Sequence, residues 1–176
     1  MKKYAAFLTI FLLFYGVGIA SAAEVVKLGY FDMQTIIERS EIGKQGAEKF
    51  QQQKEKVRQE LSGKLKEIKA LDEEFKKKEQ IWSAEVKKQK AQEIMAKRME
   101  YDRLAYDANR QLDKLQQELL NPIRDKIFDI ITRIGKEEGY TMIWEMRRAG
   151  LAYAPASLEL TDRIIKELNE RVKKSK

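Results

Sequence analysis

KQGAEKFQQQKEKVRQELSGKLKEIKALDEEFKKKEQIWSAEVKKQKAQEIMAKRMEYDRLAYDANRQLDKLQQELLN, residues 44–121, carries two runs of heptad-spaced apolar residues that do not share a register. The first places Ala47, Phe50, Val57, Leu61, Ile68, Leu71, Phe75 and Trp82 at steps of three and four. The second places Ile94, Tyr101, Ala105, Ala108, Leu112, Leu115 and Leu119 likewise. Carried forward by sevens, the first register puts Gln89, Ala96, Arg103 and Arg110 in the seam. The offset is two residues, which is neither the three- nor the four-residue slip that a continuous coiled coil absorbs. A chain folded back on itself fits both runs. Phe75 then faces Val86, Ile68 faces Ile94, Leu61 faces Tyr101, Val57 faces Leu104, Phe50 faces Leu112 and Ala47 faces Leu115, with the pivot at Ile81. The spacing predicts an antiparallel helical hairpin, an arm of roughly 50–55 Å at 1.5 Å per residue.

Charges support this reading. Glu60–Lys64, Glu73–Lys77, Glu74–Lys78 and Glu93–Lys97 have the favourable acid-to-base order at four residues. Gly43, Gly46 and Gly63 each weaken the first helix by about 1 kcal/mol relative to alanine. From Lys64 to Asn121 there is neither glycine nor proline. The turn is expected at about Glu79–Trp82, with Ser83 and Glu85 starting the second helix.

The chain ahead of the arm opens with a different signal. Lys2 and Lys3 precede an apolar run from Ala5 to Ile19, and Ala20-Ser21-Ala22 is a small-x-small cleavage signal. Residues 1–22 read as a secretory signal peptide, cleaved after Ala22 or Ala23. No cysteine follows to carry a lipid anchor. The mature chain is then one domain's worth of residues.

Composition excludes several classes of function. The chain has no cysteine and no histidine. Disulfides are unavailable, as are the usual nucleophile, the usual neutral-pH base and the best transition-metal ligands. Gly43-Lys44-Gln45-Gly46 is only a fragment of a phosphate loop. Adjacent acids such as Asp72 and Glu73, or Glu137 and Glu138, do not share a helix face. No enzyme, cofactor or metal is expected. The net charge is +7, and +5 once Lys2 and Lys3 are removed. A basic exported protein meets anionic lipid, lipopolysaccharide or acidic polypeptides rather than nucleic acid.

That charge concentrates in the distal arm. Lys76, Lys77, Lys78, Lys87, Lys88, Lys90, Lys97 and Arg98 face only Glu79, Glu85 and Glu93, a window of +5. These eight bases are candidate contacts for a client or an anionic surface. The plainer alternative is a solvated face.

The flanks of the arm are expected to form its base, residues 23–43 and 122–176, around the arm of 44–121. Val25–Phe31 reads as a strand with Val26, Leu28 and Tyr30 on one side. Asp32 is placed to cap a short helix Met33–Arg39, and Ser40 to cap the long one. Pro122 is expected to end or kink the second arm helix, with Asn121 capping a renewed one that carries Ile123, Ile127, Ile130 and Ile134. Gly139 stops it. Tyr140–Met146 and Leu151–Ala154 read as second and third strands, and Thr161 or Asp162 starts a last amphipathic helix. The class is α+β, mostly α. So small a base buries little apolar surface, so oligomerisation is expected. Val26, Leu28, Tyr30, Ile143, Trp144, Leu151 and Tyr153 are the candidates for the shared body.

This order of features resembles the Skp/OmpH family of periplasmic chaperones for outer-membrane proteins. The residues that carry it are Lys27-Leu28-Gly29-Tyr30-Phe31-Asp32-Met33, then the charged hairpin, Leu119-Leu120-Asn121-Pro122-Ile123 and Glu138-Gly139-Tyr140. Ala152-Tyr153-Ala154 and the stretch from Glu159 to Asn169 complete it. The resemblance implies a homotrimer with a small β-barrel-like body and three hairpin arms. Unfolded outer-membrane proteins would be held between the arms without ATP, catalytic residues or a cofactor. Ile81-Trp82 departs from the polar tip of many relatives. No defined lipopolysaccharide-binding motif carries over. A structural coiled-coil tether, or a protein that binds the anionic envelope without chaperone activity, explains the heptads and charge as well.

Overall fold

The computed structural model describes residues 26–174. The expected signal peptide lies outside the described residues. Strand β1 (Leu28–Phe31) leads through Asp32 into α1 (Met33–Arg39), then α2 (Glu41–Lys78), α3 (Ala84–Glu138), β2 (Met142–Glu145), a 3-10 turn at Ala156–Leu158 and α4 (Thr161–Lys174).

The arm is the expected hairpin of α2 and α3. Ser40 caps α2 by accepting from the Gly43 amide, and Ser83 caps α3 by accepting from the Val86 amide at 3.3 Å. Such caps satisfy backbone donors that a helix start leaves orphaned. Between the helices the chain turns at 79–83. Ile81 and Trp82 amides donate to the Lys78 carbonyl at 3.0 and 3.2 Å. Among the described residues only Gly139 and Gly150 have positive φ. The turn therefore uses no left-handed residue and needs no glycine. Trp82 folds back onto Phe75 edge to face, ring centroids 5.8 Å apart, and closes the end of the seam.

Along the seam Ile68 and Ile94 are buried. Val57, Leu61, Phe75, Val86, Tyr101, Leu104 and Leu112 are half-buried. The expected pattern holds at these positions. At the root Phe50 is half-buried and Ala47 exposed, and the two line a groove with Gln116 and Leu119.

Pro122 does not end the second arm helix. It lies exposed inside α3, and Asn121 starts no new helix. The apolar stripe explains why. Ala108, Leu112, Leu115, Leu119, Ile123, Ile127, Ile130 and Ile134 follow one another at threes and fours straight through the proline. Proline deletes one backbone hydrogen bond and crowds the previous turn, at a cost of about 3 kcal/mol or more. Breaking the helix would take the isoleucine stripe off its own packing surface. Ile123, Ile127, Ile130 and Ile134 join Phe31, Ile36, Leu160, Ile164, Ile165 and Leu168 in the core. At its far end α3 stops as expected at Gly139, with φ of 69°.

The sheet differs more from expectation. β1 and β2 pair in parallel, with Leu28 opposite Met142, Gly29 opposite Ile143, Tyr30 opposite Trp144 and Phe31 opposite Glu145. Parallel strands need a long crossover, and here the whole arm supplies it. The third strand does not form: 151–154 is irregular, and the other side of β1 is met only by a bridge from Glu159 to Tyr30. The Gly29 and Phe31 side of β1 packs inward. Phe31 sits in the core, and a side chain at Gly29 would lie 2.9 Å from Leu160 and 3.0 Å from Tyr140.

Candidate functional site

The base holds the arm by polar joints as well as by its core. Arg147 pairs with Asp32, and Arg133 and Arg163 with Glu167. Arg163 also pairs with Glu138, and Lys27 lies 3.4 Å from the same carboxylate. These cations hold Glu138 well below the usual carboxylate range, at about 2, with Arg163 the larger cause. Glu138 and Asp72 are thus each committed to an arginine, Asp72 to Arg98. Among the described residues no group of three acids gathers to hold a metal ion. No helix among them is long and apolar enough to cross a membrane. The arm offers a surface for contact.

Its distal charges divide into two sets. Lys78 pairs with Glu74 and Lys90 with Glu93, each at 2.8 Å. Arg98 grips both oxygens of Asp72 at 2.7 and 2.8 Å, and Lys97 lies 3.9 Å from Glu100 and 4.0 Å from Glu67. Lys76, Lys77, Lys87 and Lys88 form no ion pair among the described residues. The +5 counted over 76–98 falls to +2 once Asp72, Glu73 and Glu74 are included. Of these eight bases the unpaired four therefore lie in the last turns around Ile81, which is 80% exposed.

Several ion pairs cross between the two helices, which sequence spacing could not show. Lys64 sits at a seam position and reaches Glu100 at 2.7 Å instead of its neighbour Glu60. Each holds the other's charge, so the Lys64 ammonium is raised and the Glu100 carboxyl lowered. Of the four pairs expected within one helix, only Glu74–Lys78 forms. A cross-helix partner is visible only once the hairpin register is known.

Apolar exposure marks two further surfaces. On the arm, Met95, Met99 and Tyr106 of α3 are 64%, 63% and 63% exposed. On the base, Leu28, Tyr30, Met142 and Trp144 share one side of the sheet, with Met142 about half exposed and Trp144 more than a third. Val26, just ahead of β1, and Tyr153 are exposed as well. The seven candidate body residues thus split. Val26, Leu28, Trp144, Leu151 and Tyr153 are half-buried or exposed. Tyr30 is covered within the chain, and Ile143 packs on the core from the other side.

The chain matches the model of the family described as outer membrane protein (OmpH-like) over residues 27–168. No curated protein is similar enough in sequence to match it. Among solved structures, that of a candidate outer membrane chaperone (OmpH-like) from Caulobacter crescentus CB15 has a TM-score of 0.74 at 15% identity. The match covers 85% of this chain and 87% of that one. At that identity the likeness is one of fold.

Proposed function

The chain belongs to the OmpH-like family, and from that premise we propose that it is an ATP-independent periplasmic holdase for unfolded outer-membrane proteins. The observation that carries this reading is the arm itself: helices of 38 and 55 residues run far beyond the core, to which the longer gives only its last turns, from Ile123 to Ile134. An unfolded membrane strand exposes alternating apolar side chains and unpaired edges, and so aggregates. Weak contacts spread along an arm shield such a strand and release it without an energy source.

Shielding needs several arms around one client. The free edge of β2, with Met142 and Trp144 exposed on it, supports assembly of copies through the base into a homotrimer. The unpaired lysines at the tip then flank the mouth of the enclosed space. They attract acidic clients, or lipopolysaccharide and other anionic lipid, over a Debye length of ~8–10 Å.

The test is dilution of a urea-denatured outer-membrane β-barrel into buffer with and without the protein. Light scattering should stay flat with it and rise without it, and native mass spectrometry should show one client per oligomer. Aggregation at the same rate in both samples would leave a structural tether as the better reading.

A further inference from the structure

Met95, Met99 and Tyr106 fall on one strip of α3. At about 100° per residue they lie within about 40° of one another, and they span roughly 16 Å along the helix. Each is nearly two-thirds exposed. Met95 also borders the seam, where it lines a groove of about 370 Å³ with Phe75, Ile94 and Arg98. With the exposed Asp102 between Met99 and Tyr106 and Arg110 5.8 Å from the Tyr106 ring, the strip offers at most roughly 300–400 Å² of apolar surface. A stable interface with a second copy needs about 800 Å² per partner. The strip is too small for that, and it suits a transient contact with an extended apolar segment. Unbranched methionines adapt to differing side chains.

The same two residues carry a chemical liability. The chain has no cysteine, so thioethers are its only sulfur. Among the described residues Met33 and Met146 are half-buried and Met142 is exposed on the base sheet, whereas Met95 and Met99 are the exposed methionines of the arm. In an exported protein they meet whatever oxidant reaches that compartment.

We propose that Met95 and Met99 form an oxidation-controlled contact on the arm. Reduced, they and Tyr106 give an unfolded outer-membrane strand an apolar strip; as sulfoxides they withdraw it. The step needs a peroxide. The thioether sulfur attacks one peroxide oxygen, the O–O bond breaks and an S–O bond forms. Sulfur loses two electrons, and the departing hydroxide takes up the proton of the transferred oxygen to leave as water. The product is polar and reversible by sulfoxide reductases. The contact, though not the oxidation, rests on the holdase reading.

The test treats the intact exported protein with hydrogen peroxide and maps sulfoxide by peptide mass spectrometry. Met95 and Met99 should oxidise several-fold faster than Met33 and Met146. Binding of a urea-denatured, fluorescently labelled β-barrel is then measured for reduced and oxidised forms. Oxidation should raise the dissociation constant about tenfold in the wild type. With Met142→Leu in both backgrounds to remove the exposed methionine of the base, M95L/M99L should keep an oxidised-to-reduced ratio near one, whatever the starting affinity. Equal oxidation rates at all four methionines overturn the proposal, as does an oxidised wild type that binds as tightly as the reduced one. If neither form binds the barrel, the holdase reading falls and takes the contact with it.

Discussion

Arg147 reaches back over 115 residues to grip Asp32, its Nε 3.1 Å from both carboxylate oxygens and its Nη2 2.9 Å from Oδ2. The same carboxylate caps α1 through the amides of Gln34 and Thr35 at 2.9 and 3.2 Å. The Asp32 amide in turn donates to the Thr161 hydroxyl at 3.0 Å, so one buried residue joins β1, α1, α4 and the turn after β2.

Asp32 is thereby held at about 2, mainly by the Arg147 guanidinium. Its carboxylate titrates lower in the folded chain than in the unfolded one. The stability it contributes is complete above about pH 5 and is lost as pH falls towards 2. Asp32→Asn keeps the cap and removes the charge, and should cost on the order of 1–2 kcal/mol at pH 7. Asp32→Ala also removes the cap, a further ~1 kcal/mol. Urea denaturation at one fixed protein concentration checks both values. The gap between wild type and Asp32→Asn should narrow as the buffer is taken from pH 6 to 3.

How much of this the sequence disclosed depends on the range of each interaction. The hairpin, its two serine caps, the Asp32 cap and the stop at Gly139 are local or periodic, and all were legible. The passage of α3 through Pro122 was misread because a local rule competed with a stripe of isoleucines whose packing surface lies elsewhere in the chain. The absent third strand failed for the converse reason. Leu151–Ala154 has strand-forming residues, but a strand exists only with a partner, and none within the described chain lies beside it. The contact of Arg147 with Asp32 and that of Lys64 with Glu100 join residues far apart in sequence, so no spacing rule could supply them. At the tip the eight bases were legible as a cluster. Their division into four paired and four unpaired was not.

Three glycines of α2 should respond to alanine in opposite directions. A Cβ at Gly43 would stand 1.7 Å from the Ile37 carbonyl oxygen, where α1 turns sharply into α2. Gly43→Ala must push those two backbones apart and should destabilise the protein by several kcal/mol. A Cβ at Gly46 meets Ile123 at 3.7 Å, an ordinary contact, and at Gly63 nothing lies within 4 Å. Gly46→Ala and Gly63→Ala should each stabilise by roughly 0.5–1 kcal/mol through helix propensity alone. Thermal melts of the three variants, compared at equal concentration, test the ordering.

Assembly through the sheet predicts a separate result. Trp144 and Met142 are exposed on a strand whose outer edge has no partner among the described residues. Charge placed there, as Trp144→Glu or Met142→Lys, leaves the core of the single chain untouched. Either variant should keep its helical circular dichroism while native mass spectrometry shows fewer copies per particle. An unchanged oligomer in both would place the interface elsewhere on the base.

The tip lysines predict an effect on rate. Lys76, Lys77, Lys87 and Lys88 have no acidic partner among the described residues, whereas Lys78, Lys90, Lys97 and Arg98 are already neutralised by neighbours. A field that reaches a client must come from the first set. Exposed charges interact weakly one at a time and are screened by salt. Their combined effect falls on the approach of a partner more than on its residence. Replacing the four unpaired lysines with glutamine should slow capture of an acidic denatured barrel several-fold at low salt and flatten its salt dependence. The dissociation rate should hardly change. Glutamine at Lys78, Lys90 and Lys97 removes three ammonium groups but releases the partner acids, so it should loosen the distal arm in hydrogen exchange. Stopped-flow fluorescence between 20 and 500 mM salt separates the two sets, and equal salt slopes for wild type and the four-lysine variant would reduce the cluster to a solvated surface.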